Sequence, residues 1–367
     1  MPGGGVALRR EWLADLLEIS YSAMDLDGLL LEAARPEELA GMLLAALRLD
    51  LPTVCIPPAR LSLSASYVAL GFTPSVGDPA ATVVALTESD GPRPRELVDD
   101  FSLANALRAG VAAGDGPEVV VHLAAISREA GVAGFDQMVR VLAAETSEVA
   151  PAWLREHGVP GLLASLGDTL HEVPTVAGNL KENLPPAPPA PEEHSRLDFV
   201  KARASGAEAV CRVRKGVTEV VGECRVFGSE KAAVSGVLRG EIEDGKLLVV
   251  GGCGPRGGPG LLRLDALGRA LREAGLEVTV MTDGLAPEDA VGTWISLFTP
   301  EAVTGGVLSL LRDGDVLRID LTEGRIRTRA RDVESREPHE FSDSAGTAYA
   351  ARYAESALSA LEGAGFG

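Results

Sequence analysis

The sequence is poor in the features that mark nucleic-acid, membrane and metal proteins. Basic residues are few: 34 Lys and Arg stand against 53 Asp and Glu, a net charge of −19. No cationic surplus exists to displace counterions from a phosphate backbone or to hold the chain on an anionic bilayer. The acidic excess needs no reading beyond solubility. Only four cysteines occur, Cys55, Cys211, Cys224 and Cys253. No two have C-x-x-C spacing and no histidine stands near one in a ligand pattern, which argues against zinc. No apolar run reaches the roughly 18 residues of a membrane crossing. The opening MPGGGVALRREW lacks the charged-then-apolar form of a secretory signal. A cytoplasmic protein with free thiols is expected. Aromatic residues make up 4%, so Leu, Val and Ala must fill the core.

What is present suffices for two or three domains: 367 residues, 46% of them hydrophobic. Residues 9–24 place Trp12, Leu13, Leu16, Leu17 and Ile19 at helical spacing. "DGLLLEA" (27–33) reads as a buried strand. Pro36 opens the next helix, with Glu37 and Glu38 at its positive end. "LPTVCIPP" is a second strand stopped by prolines. Strand, helix, strand at this spacing implies a βαβ unit and a parallel sheet. Further helices are expected near 95–109, 118–131 and 135–148. "NLPPAPPAPEEHSR" (183–196) reads as a stiff connector. Beyond it, β-rich runs with Gly-Asp turns predict a β-dominated domain, with single helices near 229–239 and 264–274. A last helix is expected over 346–361. The expected division is 1–182, a linker 183–199, a β-rich domain 200–335 and a tail 336–367.

Several stretches, in order, carry a resemblance to a known family. They are "REWLADLLEISYSAMDLDGLLLEAARPEELAGMLLAALRLDLP", "ASYVALGFTPSVG", "GDGPEVVVHLAAISREAGV", "GVPGLLASL", "VPTVAGNLKENL", "CRVFGSEKAAVSGVLRGEIEDGKLLVVGGCGPRGGPG", "VTVMTDG" and "FTPEAVTGGVLSLLRDGDVLRIDL". Together they resemble the dihydroxyacid dehydratase and 6-phosphogluconate dehydratase family. The resemblance implies an N-terminal parallel-sheet α/β domain plus a C-terminal β-barrel-like domain with flanking helices, substrate between them, and commonly a dimer. Family members eliminate water from sugar acids or dihydroxy acids, using an iron–sulfur cluster as Lewis acid and a magnesium ion.

The sequence departs from that pattern where the chemistry would be. Arg35 stands where the family has a cluster cysteine, and its metal-binding Asp and Lys neighbours correspond to Pro36 and Glu37. A second cysteine segment has no counterpart between Ile56 and Ser64, nor has the family's N-terminal stretch with a third. Cys253 replaces a metal-binding Glu. The base, a Ser after Gly-Arg-Phe, is lost: Leu285, Ala286 and Pro287 follow Asp283 and Gly284. A cluster needs thiolates and magnesium needs carboxylate oxygens, so no metal and no cofactor are expected.

The remaining residues have alternative readings. Arg35 and Glu37 could grip a carboxylate substrate and move a proton, or form an internal ion pair. GPRGGPG, with Arg256, Gly257 and Gly258, reads as an anion-binding nest or an inherited turn. Cys253 beside it is nucleophile or inert thiol. Asp283, Glu288 and Asp289 could divide acid and base roles, or the last two could begin a solvated helix. His122 is catalytic or a satisfied core histidine, and Glu118 is a pocket candidate. Two functions remain open. One is a repurposed enzyme performing elimination, isomerisation or cyclisation on a small or natural-product acid in an interdomain cleft, with Glu37, Asp283, Glu118 and His122 as catalytic candidates. The other is a non-catalytic pseudoenzyme, either a ligand sensor or the partner of an active full-length paralogue. A homodimer is expected, a hetero-complex being the alternative.

Overall fold

The computed structural model describes residues 5–57, 61–74, 77–89, 91–202, 205–330, 332–341 and 346–367. Residues 1–4, and 58–60 within the gap expected between Ile56 and Ser64, lie outside them. The chain divides into two compact units, Arg9–Arg196 and Met1–Leu8 with Leu197–Gly367.

The N-terminal unit follows α1 (Val6–Tyr21) with β1 (Leu29–Glu32), α2 (Pro36–Leu49) and β2 (Thr53–Ile56). β1 and β2 pair in parallel, Leu29 opposite Thr53 and Glu32 opposite Ile56, so the strand–helix–strand pattern forms as its spacing implies. Pro36 sets the first turn of α2, and Glu38 bonds back to the Arg35 N–H at 3.1 Å. Leu39, Leu43, Leu44 and Leu47 bury its inner face. Helices α3 (Leu61–Ala69), α4 (Pro79–Ser89), α5 (Pro94–Leu97), α6 (Asp100–Ala113), α7 (Pro117–Ala130) and α8 (Phe135–Glu145) follow. Next come β3 (Ser147–Val149), α9 (Pro151–Leu166) and the paired β4 (Pro174–Thr175) and β5 (Gly178–Asn179).

Four expectations are corrected. The helix expected over 95–109 is two helices, because Asp99 caps α6: its carboxylate accepts from the Ser102 N–H at 2.7 Å, and Ser102 Oγ accepts from the Asp99 N–H at 2.9 Å. The helix over 135–148 stops at Glu145, and Ser147–Val149 pairs as a strand with Glu193–Arg196. Residues 193–199 are therefore strand and not connector; the prolines end at Pro191, which leaves every later N–H able to pair. The helix α1 forms, but its apolar residues are the wrong ones to be inside. Trp12, Leu16 and Ile19 are 36%, 43% and 72% exposed, whereas Arg10 and Glu11 are buried. Arg10 is paired there: its guanidinium donates to Glu11 at 2.7 and 2.9 Å and to the Val121 carbonyl at 3.3 Å. Gly41 of α2 permits the approach: a Cβ there would lie 2.6 Å from the Arg10 carbonyl oxygen.

The second unit is a closed barrel with helices outside it. Its strands are β6 (Glu193–Ala202, entering the unit at Leu197), β7 (Ala207–Arg214), β8 (Glu219–Phe227), β9 (Leu247–Val250), β10 (Thr279–Thr282), β11 (Thr293–Thr299), β12 (Val316–Asp320) and β13 (Arg325–Thr328). They run in the order β13-β12-β8-β9-β10-β11-β7-β6, and β6 pairs back with β13. Alternation explains the two faces. Leu247, Val249, Met281, Leu317 and Ile319 point inward into one core. Leu248, Val250 and Val280 point outward and meet α10 (Glu230–Leu238) and α11 (Asp265–Ala274) through Ala233, Val237, Leu267 and Leu271. A short helix α12 (Val307–Leu310) precedes β12. The last helix is shorter than expected, α13 (Ala348–Ser356). Thr347 caps it, and the buried Tyr353 anchors it by donating to the Ala364 carbonyl. Among the described residues, no helix is long and apolar enough to cross a membrane.

The GPRGGPG loop after β9 is pinned by the start of the chain: Gly5, Val6 and Ala7 donate to the carbonyls of Pro259, Leu261 and Gly260 at 2.8–3.0 Å. Gly260, at φ +89°, leaves no room for a side chain, since a Cβ would fall 2.1 Å from Leu8 Cβ. Gly260→Ala should therefore lower stability by at least about 2 kcal/mol. Gly305→Ala, at φ +82° but with nothing within 4 Å, should cost about 1 kcal/mol. Urea unfolding of the two variants compares them; equal midpoints would show that the Leu8 contact is not what constrains the loop.

Candidate functional site

The candidate residues fall into two groups, one in each unit. In the second unit the loop after β9 brings its N–H groups together, as expected of a nest. The chain itself supplies the anions. Asp283, fully buried just after β10, accepts from the N–H groups of Gly252 at 3.1 Å, Cys253 at 2.8 Å and Ala302 at 2.8 Å. Glu301 accepts from Arg256 and Gly257, each at 3.1 Å. Gly254 must be glycine here, because a Cβ would stand 2.4 Å from Glu301 Oε2. Gly258 is equally confined, 2.6 Å from the Leu262 side chain.

Burial raises both carboxyls, and the N–H groups oppose it. Asp283 is raised by desolvation against its backbone donors. Glu301 is pushed up to about 7, first by desolvation and further by the negative Asp283. The Cys253 thiol is fully buried and held far above its ordinary range by desolvation, the reverse of what a nucleophilic thiolate needs. Glu288 and Asp289 pair with Arg263 at 3.0 Å and Arg272 at 2.7 Å, as members of a solvated turn would. The Arg256 side chain is exposed and its Nε donates to the Ala357 carbonyl at 3.1 Å. With Gly257, Val303, Thr304, Phe341 and Glu355 it lines a cavity of about 430 Å³.

In the N-terminal unit, Glu37 is buried and pairs with Arg9 at 2.8 Å; Arg35 reaches it only at 3.9 Å. Arg35 is 46% exposed and bonds chiefly to Glu38, at 2.6 Å. The ion-pair reading thus fits both residues. Glu118 and His122, one turn apart on α7, approach to 3.4 Å at buried positions. Burial lowers the His122 pKa, which fits a neutral, satisfied core histidine. The buried Arg10 and Glu11 beside this group are not legible from the pattern, since they share a helix with more apolar residues. Glu301 lies in "TPEAVTGG", a stretch that marks the family and gives no hint of the loop it contacts.

Residues 200–364 match the family model described as Dihydroxy-acid/6-phosphogluconate dehydratase C-terminal. A dihydroxy-acid dehydratase of Citrifermentans bemidjiense is 28% identical, over 88% of this chain and 76% of the relative. One of Sulfurisphaera tokodaii is 31% identical over 78% of this chain and 55% of the relative. One of Archaeoglobus fulgidus is 24% identical over 97% and 82%. The chain belongs to the dihydroxy-acid/6-phosphogluconate dehydratase family. The resemblance seen in the sequence thus extends over both units.

As donors for the cluster and magnesium ion that this family implies, the described side chains do not fit. No group of three or more His, Cys, Asp or Glu side chains converges among them. The four cysteines are dispersed and buried: Cys55 on β2, Cys211 and Cys224 in the barrel core, Cys253 under the loop. Desolvation raises Cys55 and Cys253 and pushes Cys224 up to about 12, the opposite of what a thiolate ligand needs.

Two outcomes follow from this geometry. The folded-state pKa of Glu301 lies above the ordinary 4.5, so its contribution to stability is complete below about 4.5 and is lost as pH rises through about 7. The loss is up to about 3 kcal/mol. Glu301→Gln should flatten that part of the curve, measured by urea unfolding near pH 5 and pH 8; an unchanged slope would mean that the group does not titrate there. In the native protein none of the four thiols should react with Ellman's reagent within minutes, and unfolding should release all four. A fast native thiol would contradict their burial.

Proposed function

We propose that this family member is an acid–base enzyme that works without an iron–sulfur cluster or magnesium. Its substrate is a small or natural-product carboxylic acid, and the site is the cavity over the GPRGGPG loop. Arg256 binds the substrate carboxylate. Glu301 takes a carbon-bound proton and returns it to a leaving oxygen, in an elimination, or to a neighbouring carbon, in an isomerisation or cyclisation. One observation carries this reading: a carboxyl near pKa 7, bonded to the N–H groups of two residues that line a cavity holding an exposed arginine. Loss of the metallocentre is supported by Arg35, Pro36 and Cys253, none of which supplies the donor that the family resemblance calls for at its place. Asp283, Glu37, Glu118 and His122 hold the scaffold in this scheme. A homodimer in the cytoplasm belongs to the same proposal.

A second reading, the non-catalytic partner of a full-length paralogue, is favoured by one fact. Asp283 and Glu37, expected as catalytic groups, are already satisfied by the chain's own donors. It predicts a stable hetero-complex in place of a homodimer.

The test is deuterium wash-in from D2O into a panel of hydroxy- and dihydroxy-carboxylates, followed by NMR. Exchange next to the carboxylate should survive chelators. It should fall about 10²–10⁴-fold in Glu301→Gln, and Arg256→Ala should weaken binding about tenfold or more. No exchange with any acid, together with a hetero-complex on purification, would favour the second reading. Stoichiometric iron and sulfide in anaerobically isolated protein would overturn both.

A further inference from the structure

The barrel of the second unit contains another cavity, of about 460 Å³, that shares no lining residue with the one over the loop. Its walls include Met281, Phe298, Leu311 and Leu317, inward-facing residues at most 2% exposed, and Leu310 of α12. Protein interiors rarely leave voids larger than a water molecule. The cavity opens to solvent on one side; its inner walls offer water almost no partners, and its volume lies in the range of small-molecule sites. It is too small for a folded partner.

The polar groups are at its edge. Thr328, opposite Leu317 across the β12–β13 pair, lines the cavity at its solvent-exposed mouth, as does Ser205. Its hydroxyl accepts from the Ala330 N–H at 3.1 Å. Ser205 Oγ accepts from the Ala207 N–H at 3.4 Å. Each hydroxyl that accepts from its own backbone retains an O–H to donate, and the complement of an O–H donor is an acceptor. Arg327 also lines the cavity, but its guanidinium is exposed and lies 3.6 Å from Glu323, so it supplies no buried cation. A carboxylate pressed against the apolar inner walls would have no buried cation to pair with.

We propose that the barrel cavity binds a neutral, largely apolar small molecule carrying one hydrogen-bond acceptor, such as a ketone or ester, with that acceptor at Thr328 and Ser205. The site is distinct from the acid-binding site above and stands if that one fails.

The probe is 4-phenyl-2-butanone, titrated into the full chain carrying 13C-methyl methionine. One saturable site should shift the Met281 methyl signal. Butylbenzene, without the carbonyl, should bind about three- to tenfold more weakly, and 4-phenylbutyrate at neutral pH more weakly still. Leu310→Phe should fill the cavity and abolish the shift, while Thr328→Val should erase the preference for the ketone. If Leu310→Phe does not fold, Thr328→Val decides alone. Absence of a saturable Met281 shift would overturn the proposal. So would undiminished binding in folded Leu310→Phe, a retained ketone preference in Thr328→Val, or tighter binding of the carboxylate.

Discussion

Two carboxylates buried in backbone N–H groups organise the second unit. Asp283 gathers donors from the loop after β9 and from Ala302, and so joins segments 30 and 19 residues away along the chain. Glu301 does the same for Arg256 and Gly257. Loops rich in glycine expose N–H groups that are costly to bury unpaired. Here those of Gly252, Cys253, Arg256 and Gly257 are answered by internal anions, and those of Gly258 and Gly260 by the Gly254 and Pro255 carbonyls. That exchange allows the GPRGGPG loop to pack without a side chain at Gly254 or Gly260, and it leaves Arg256 directed outward over a cavity.

The N-terminal unit solves a different problem with the same chemistry. Arg10, Glu11, Glu37, Glu118 and His122 are all buried, and a single uncompensated charge among them would be strongly destabilising. Two ion pairs, Arg10 with Glu11 and Glu37 with Arg9, balance charge, and Glu118 lies 3.4 Å from the neutral His122, within hydrogen-bond reach. Arg48 ties the rim, bonding Asp15, Glu18 and Glu129 at 3.0–3.1 Å. Such a network specifies one packing of α1, α2 and α7, and it explains why α1 turns a charged face inward.

These features set the limit of what could be read from the residues. The strand–helix–strand unit was legible because Pro36, the two glutamates after it and the leucine spacing agree with one another. The barrel strands were legible as short β-rich runs between Gly-Asp turns. The orientation of α1 was not, since the apolar stripe Trp12–Leu16–Ile19 is the stronger local signal and only the distant Glu37, Val121 and Gly41 reverse it. The nest was legible as a shape, but its occupant was not. Glu301 lies 45 residues from Arg256, and no periodicity links a loop to a carboxylate across an intervening helix and two strands. The strand at 193–199 was hidden by the prolines before it, which dominate composition yet end where pairing begins.

The two anions of the second unit are not equivalent, and the difference bears on function. Asp283 is fully buried and held by three donors from two segments, so removing its charge would release both loops at once. Glu301 is held by adjacent N–H groups of a single loop, and the negative Asp283 nearby works against its charge. Burial first, and that repulsion second, let Glu301 take up a proton near neutrality, and the N–H groups of Arg256 and Gly257 then lose their charged acceptor. An incoming carboxylate at Arg256 would find those donors weakly engaged. The arrangement thus assigns Asp283 to the scaffold and makes Glu301 the group whose protonation a bound anion can alter, which is the property that the proposed acid–base role requires.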